Sequence, residues 1–319
     1  MNNRVDTKRV LIFLGFAFGI AWITGLVIYL TGGLVNSPVL IEQANITLAL
    51  VLLAVVYMWA PALANIFTRL VTREGWANSG LRLNIKRGWP YWLAAWFGPV
   101  ILTVLGGLVF FAVFPQFFDS QLTVVRQQFT DLGLPVPEPL LVVIFAQLAV
   151  SVLIAPVINS LFTFGEEFGW RGYLLQKLLP MGTCKAMIVM GIIWGVWHWP
   201  VIAMGHNYGL GYPGAPWLGM LAMVWFTFVV GTFLAWVTVR GGSVWPAVIG
   251  HAAVNGIAGA MILFIQGQPS MLLGPAPVGL IGSTAWSVVA LWLLFHSKES
   301  KPLAYSVAPE ALLVEPTSD

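Results

Sequence analysis

The stretch VLIFLGFAFGIAWITGLVIYL, residues 10–30, decides what kind of molecule this is. It contains no charged side chain, and as a helix rising ~1.5 Å per residue it spans the ~30 Å hydrocarbon core of a bilayer. Arg4, Lys8 and Arg9 precede it, as basic residues precede a secretory signal. The run nevertheless exceeds the ~7–15 apolar residues of a signal core, and no small-x-small cleavage site closes it. It reads as a first membrane span.

Working outward, the whole chain has the same character. Of its 319 residues 59% are hydrophobic and 8% charged, with a mean hydropathy of +0.86, where a soluble domain carries about a quarter charged residues. Apolar stretches over 10–31, 45–68, 90–114, 139–163, 186–204, 217–239, 244–266 and 276–296 predict about eight spans. The fold expected is therefore all-α, a polytopic membrane helix bundle formed by residues 1–296. The tail 297–319 is polar, carries Pro302, Pro309 and Pro316, and is expected to be disordered. A net charge of +3 held in short loops gives no reason to expect nucleic acid. Cys184, the only cysteine, permits no internal disulfide and reads as a small buried apolar residue.

Charge sets the expected orientation. With eight spans, Arg4, Lys8, Arg9, Arg69, Arg73, Arg82, Lys86, Arg87, Arg171, Lys177, Lys185, Arg240, Lys298 and Lys301 fall on one side, and Arg126 alone on the other. The positive-inside rule then puts both termini in the cytoplasm, across a plasma (inner) membrane. The outward segment 115–138, with Phe117, Phe118, Leu122, Val125 and Phe129, is expected to include an amphipathic helix lying on the bilayer.

Ionisable side chains within spans cost ~2.5–3.5 kcal/mol each on insertion scales, which makes them functional candidates. They are Glu166, Glu167, Arg171, His198 and His251. His206 and His296 read as solvated residues at span ends. Adjacent helical residues point ~100° apart, so Glu166 and Glu167 cannot face one point. Glu167 and Arg171, spaced i,i+4 with the acid first, favour an ion pair. That leaves Glu166 for chemistry, with Trp170 one turn on. His251 and Asn255 share a helix face, and Trp194 and Trp197 flank His198. Counting residues puts Glu166 nearer the membrane edge than the histidines, which demands a tilted or bent fourth span. A carboxylate and an imidazole can activate water, and a histidine with an amide can stabilise an oxyanion. Alternatively Glu166, His198 and His251 could supply one divalent metal, zinc by preference, with an open position for water. The neutral amide of Asn255 suits an oxyanion better than zinc and favours the metal-free route. HExxH, GxSxG and a nucleophilic cysteine are all absent.

Three motifs carry a resemblance: Glu166-Glu167-Phe168-Gly169-Trp170-Arg171, Trp194-Gly195-Val196-Trp197-His198, and His251-Ala252-Ala253-Val254-Asn255. In order and separation they resemble the CPBP family of CAAX-protease and bacteriocin-processing (Abi) membrane peptidases, over roughly residues 140–260. The resemblance implies an eight-helix bundle with a cavity open to the cytoplasm. It also implies cleavage of a peptide or protein substrate reached from the cytoplasm or the bilayer, with Glu166 and His198 activating water and His251 and Asn255 at the oxyanion. Both metallopeptidase and metal-independent glutamate mechanisms belong to its range, and bacteriocin immunity is among its prokaryotic roles. A catalytically silent scaffold would share the motifs. An ion-coupled transporter would bury similar groups, but should show internal repeats and a polar path to both faces.

Overall fold

The computed structural model describes residues 5–77 and 79–296. The tail expected to be disordered, and the basic residues Arg4, Lys298 and Lys301, lie outside the described residues. Each apolar stretch forms helix over all or part of its length. In chain order these are α1 (Thr7–Leu30), α2 (Leu48–Thr72), α3 (Ile85–Val113), α4 (Thr123–Asp131), α5 (Leu140–Leu153), α6 (Ala155–Met181), α7 (Thr183–Trp197), α8 (Trp199–Ala203), α9 (Trp217–Gly241), α10 (Trp245–Phe264) and α11 (Thr284–His296). A short antiparallel ribbon, Val39–Ile41 with Ile46–Thr47, lies between α1 and α2. The chain is a membrane protein built on several apolar helices.

Among the described residues α1, α2, α3, α9 and α10 are each long and apolar enough to cross a membrane. The pair α5–α6 makes a sixth if taken as one span bent by 43°. The remaining two expected spans coincide with shorter apolar helices, α7 and α11. Breaks interrupt two of the expected spans, the fourth and the fifth. Pro156 has no N–H to give and its ring clashes with the preceding turn, so α6 starts afresh at Ala155 with the proline in its first turn. Pro200 does the same at the start of α8. The bend at Ile154 is the one that residue counting demanded of the fourth span.

α9 is the central helix, with 72% of its most apolar window buried; α7, α3, α10 and α11 pack around it, while α6 is held between α10 and α2. Backbone-to-backbone approach fixes the two helices that carry the first motifs. A Cβ on Gly169 would sit 2.4 Å from the backbone of Pro61, and one on Gly195 would sit 2.5 Å from Val224 Cα. Without an apolar driving force between helices in lipid, such small residues are what permits tight packing.

The bundle has two distinct ends. At one, Glu74 binds Lys177 and accepts from Tyr173 Oη at 2.9 Å, with Arg9 Nε at 3.4 Å. There too Asn84 Nδ2 donates to the Gly241 carbonyl, and the Val244 N–H to that of Gly80. At the other end Tyr208 Oη donates to the Val278 carbonyl and Phe118 pairs with Ile265. The segment expected to lie on the bilayer is more protein-bound than that: α4 covers only Thr123–Asp131, and Leu122 and Val125 bury against Leu140 and Ile144 of α5. Cys184 also departs from expectation. It is exposed, because it occupies the first turn of α7 where the chain leaves the bundle.

Candidate active site

Glu166 and Glu167 are both buried in α6 and face different neighbours, as their ~100° separation requires. Glu167 Oε1 accepts from Arg171 Nη1 at 2.9 Å and sits 2.9 Å from His251 Nδ1. The ion pair with Arg171 is the expected one. The second partner is new, and it makes Glu167 the link between the first motif and the third. A carboxylate can only accept, so the shared hydrogen is on His251 Nδ1 and its Nε2 is left for the cavity.

Arg171 is fully buried. Its guanidinium lies 4.4 Å from the Trp194 ring centroid, a geometry that lets the ring face stabilise the cation. The absence of a side chain at Gly231 makes room, since a Cβ there would lie 3.2 Å from Arg171 Nη2.

Trp194 joins the remaining groups. Its Nε1–H donates to Glu166 Oε2 at 2.7 Å, its ring meets His251 edge-to-face at 5.2 Å, and its carbonyl lies 2.8 Å from His198 Nδ1. The last contact follows from the helix break. The His198 N–H turns to the carbonyl of Gly195 instead of reaching back a full α-turn, which frees the Trp194 carbonyl for the His198 ring. That carbonyl fixes the hydrogen on Nδ1, so the neutral ring turns an unprotonated Nε2 outward. Three residues later the pattern recurs: the Val201 N–H bonds the His198 carbonyl, and the Trp197 carbonyl accepts Tyr57 Oη at 2.7 Å and Trp22 Nε1 at 3.2 Å instead.

Glu166, Trp194, His198, His251 and Asn255 all line one cavity of about 350 Å³. Glu167 and Arg171 stand behind it. Trp170 is not part of its wall; it packs edge-on against Trp197 and Phe13, each at 5.7 Å. Among the described residues no group of three or more His, Cys, Asp or Glu side chains is arranged to hold a metal ion. Glu166, His198 and His251 thus share a cavity without closing into a ready three-ligand set.

Residue-by-residue reasoning passed over Tyr57 and Asn65. Tyr57 is buried, lines the cavity and sits at the end of a π-helical turn, Leu53–Tyr57; such turns frequently mark functional sites. Asn65 donates to the Phe168 carbonyl at 2.8 Å and so ties α2 to the first motif. A polar side chain in the interior of an apolar span was the available signal for both. His206 is exposed, as expected, but it and Asn207 also belong to the cavity wall.

Trp194→Phe keeps the aromatic body and removes the donor to Glu166. We expect normal expression, with at least a tenfold loss in kcat and little change in KM, since the carboxylate loses a charge-assisted hydrogen bond worth about 1.5–3 kcal/mol. An unchanged kcat would show that the indole N–H plays no part in positioning Glu166.

Comparison with known proteins agrees with this geometry. Residues 140–257 match the family model described as type II CAAX prenyl endopeptidase Rce1-like. A curated relative, CAAX prenyl protease 2 of Methanococcus maripaludis, is 31% identical over 93 residues, covering 28% of this chain and 34% of that protein. The chain therefore spans about a third of the length of the curated relative it matches. All three motifs fall inside the span matched by the family model, residues 140–257, over which the chain is similar to the Rce1-like type II CAAX prenyl endopeptidases.

Proposed function

We propose that the protein is an intramembrane endopeptidase in which Glu166 is the base that activates water. One observation carries this reading: a buried carboxylate, two histidines held by their Nδ1 atoms and an asparagine, drawn from three helices, line a single cavity. With Oε2 engaged by Trp194, Glu166 Oε1 takes a proton from water while the oxygen attacks the scissile carbonyl carbon. His198 Nε2 accepts from the same water and orients it. The oxyanion receives hydrogen bonds from Asn255 Nδ2 and from Nε2–H of a protonated His251, whose other nitrogen donates to Glu167. Collapse of the intermediate breaks the C–N bond, and the proton held by Glu166 passes to the leaving amine.

The sequence also admits zinc on Glu166, His198 and His251. Those residues do not form a metal-holding group, and no step here needs one. Leu53, Met58, Met223, Phe226 and Val254 line much of the rest of the cavity, which favours a peptide with an apolar or lipid-modified flank, in keeping with the name of the curated relative. Comparing new peptide N-termini in membranes carrying the wild-type protein or His198→Ala tests the activity. We expect a discrete set of membrane-associated N-termini only with the wild type, persisting in the presence of a chelator. Identical profiles would remove the peptidase reading, and loss of the set on chelation would return the metal to the site.

A further inference from the structure

We infer that the cavity opens on the extracytoplasmic side, so that the enzyme takes peptide segments presented at the outer face of its membrane. This inference concerns the substrate pool and rests on the peptidase reading above, but its geometry does not. The cavity runs from Glu166 and Trp194 to His206, Asn207, Pro277 and Val278. These last four lie in the segments joined by the Tyr208–Val278 hydrogen bond, at one end of the bundle.

The basic residues lie at the opposite end. Arg9 and Lys177 meet at Glu74, Arg240 lies beside the Asn84–Gly241 contact, and Arg73, Arg82, Lys86, Arg87 and Lys185 occupy the segments adjoining these. The first helix shows the polarity directly. Its start carries Arg9, beside Glu74, whereas Trp22 and Gly25 near its far end touch Trp197 and Pro200 on the cavity side. Between the cavity floor and the basic end the protein is solid: Trp170, Tyr173, Leu174 and Leu178 are each at most 2% exposed. Among the described residues Arg126 is the one Lys or Arg at the cavity end. Such an excess of Lys and Arg at one end marks the cytoplasmic face. A cavity opening at the other end therefore faces out. The two expectations drawn from sequence, cytoplasmic termini and a cytoplasmic cavity, cannot both hold for this opening.

Cysteine labelling in spheroplasts of a bacterial host tests the assignment without reference to activity. Cys184 is exposed at the basic end. Gly211, in the loop after α8, has nothing within 4 Å of an added Cβ, and Ala258 lies in the cavity wall. Gly211→Cys and Ala258→Cys are each placed in a Cys184→Ser background, and all positions are first shown to react in permeabilised membranes. A membrane-impermeant maleimide applied from outside should label residue 211 and leave Cys184 of the parent unlabelled. A small charged methanethiosulfonate should reach residue 258 from outside. Labelling of Cys184 with protection of 211 would overturn the orientation, and so would labelling of both. Protection of 258 from outside, with 211 labelled, would overturn the opening. Failure of the peptidase reading would leave all of these patterns unchanged.

Discussion

Glu166→Gln protein should reach the membrane in normal amounts and fold as the parent does, while its cleavage rate falls by at least about 100-fold, the lower scale of acid–base assistance. Glutamine keeps the volume and can still accept the Trp194 Nε1–H that now reaches Glu166 Oε2 at 2.7 Å. What it lacks is an oxygen basic enough to take a proton from water. Folding should survive because a neutral amide is cheaper than a carboxylate to hold in a dry cavity. The loss should fall on kcat rather than KM, since the proton moves only in the transition state. The measurement is a paired rate determination on a peptide identified from the N-terminal comparison, together with a melting curve. A variant that melts with the parent and cleaves within threefold of it would remove Glu166 from the role of base.

The adjacent substitution should behave in the opposite way. Glu167→Gln leaves Arg171 fully buried with no counter-charge in contact, and breaking a buried pair costs roughly 3–5 kcal/mol. Among the described residues Arg171 Nε and Nη2 are buried without hydrogen-bonding partners, which leaves the face of Trp194 and the more distant charge of Glu166, neither of them in an ion pair with it. We expect a large drop in melting temperature or in the amount of folded protein recovered. Combining Glu167→Gln with Arg171→Met should restore much of it, because the stranded charge is then gone. Activity should stay low in the double variant, since His251 has lost the carboxylate that accepts from its Nδ1 and holds the ring in place. Parent-like stability of Glu167→Gln alone would mean that the pair is not what holds this part of α6.

How much of this was legible in the residues follows from what each feature depends on. The division of labour between Glu166 and Glu167 needed only helical geometry and the position of Arg171, and the structure has the two carboxylates on different partners. The bend in the fourth apolar stretch was required by counting, and it occurs where Pro156 opens α6. Other features depend on packing that no local pattern encodes. The His251–Glu167 contact joins residues 84 apart in sequence. Tyr57 looks like any membrane tyrosine until the break after Trp197 supplies a carbonyl for it. Trp170, one turn on from Glu166, packs against Trp197 and Phe13, partners that come from elsewhere in the chain. The direction of the cavity was hidden for a different reason. It is set by which loops flank a gap between α2, α7, α9 and α10, and charge distribution reports only which loops are basic.

Pro200 gives the site a vulnerability that a stability-minded engineer would walk into. By helix propensity alone, replacing a proline between two apolar helices is an improvement, and a continuous α7–α8 would recover backbone bonds that the break forfeits. Those bonds would claim the carbonyls of Trp194 and Trp197, on which the His198 ring, Tyr57 and Trp22 now depend. The repaired helix would be the sturdier object and the poorer catalyst. Here an imperfection in secondary structure is the means by which the bundle gains two receptor points without spending a single extra polar side chain in lipid.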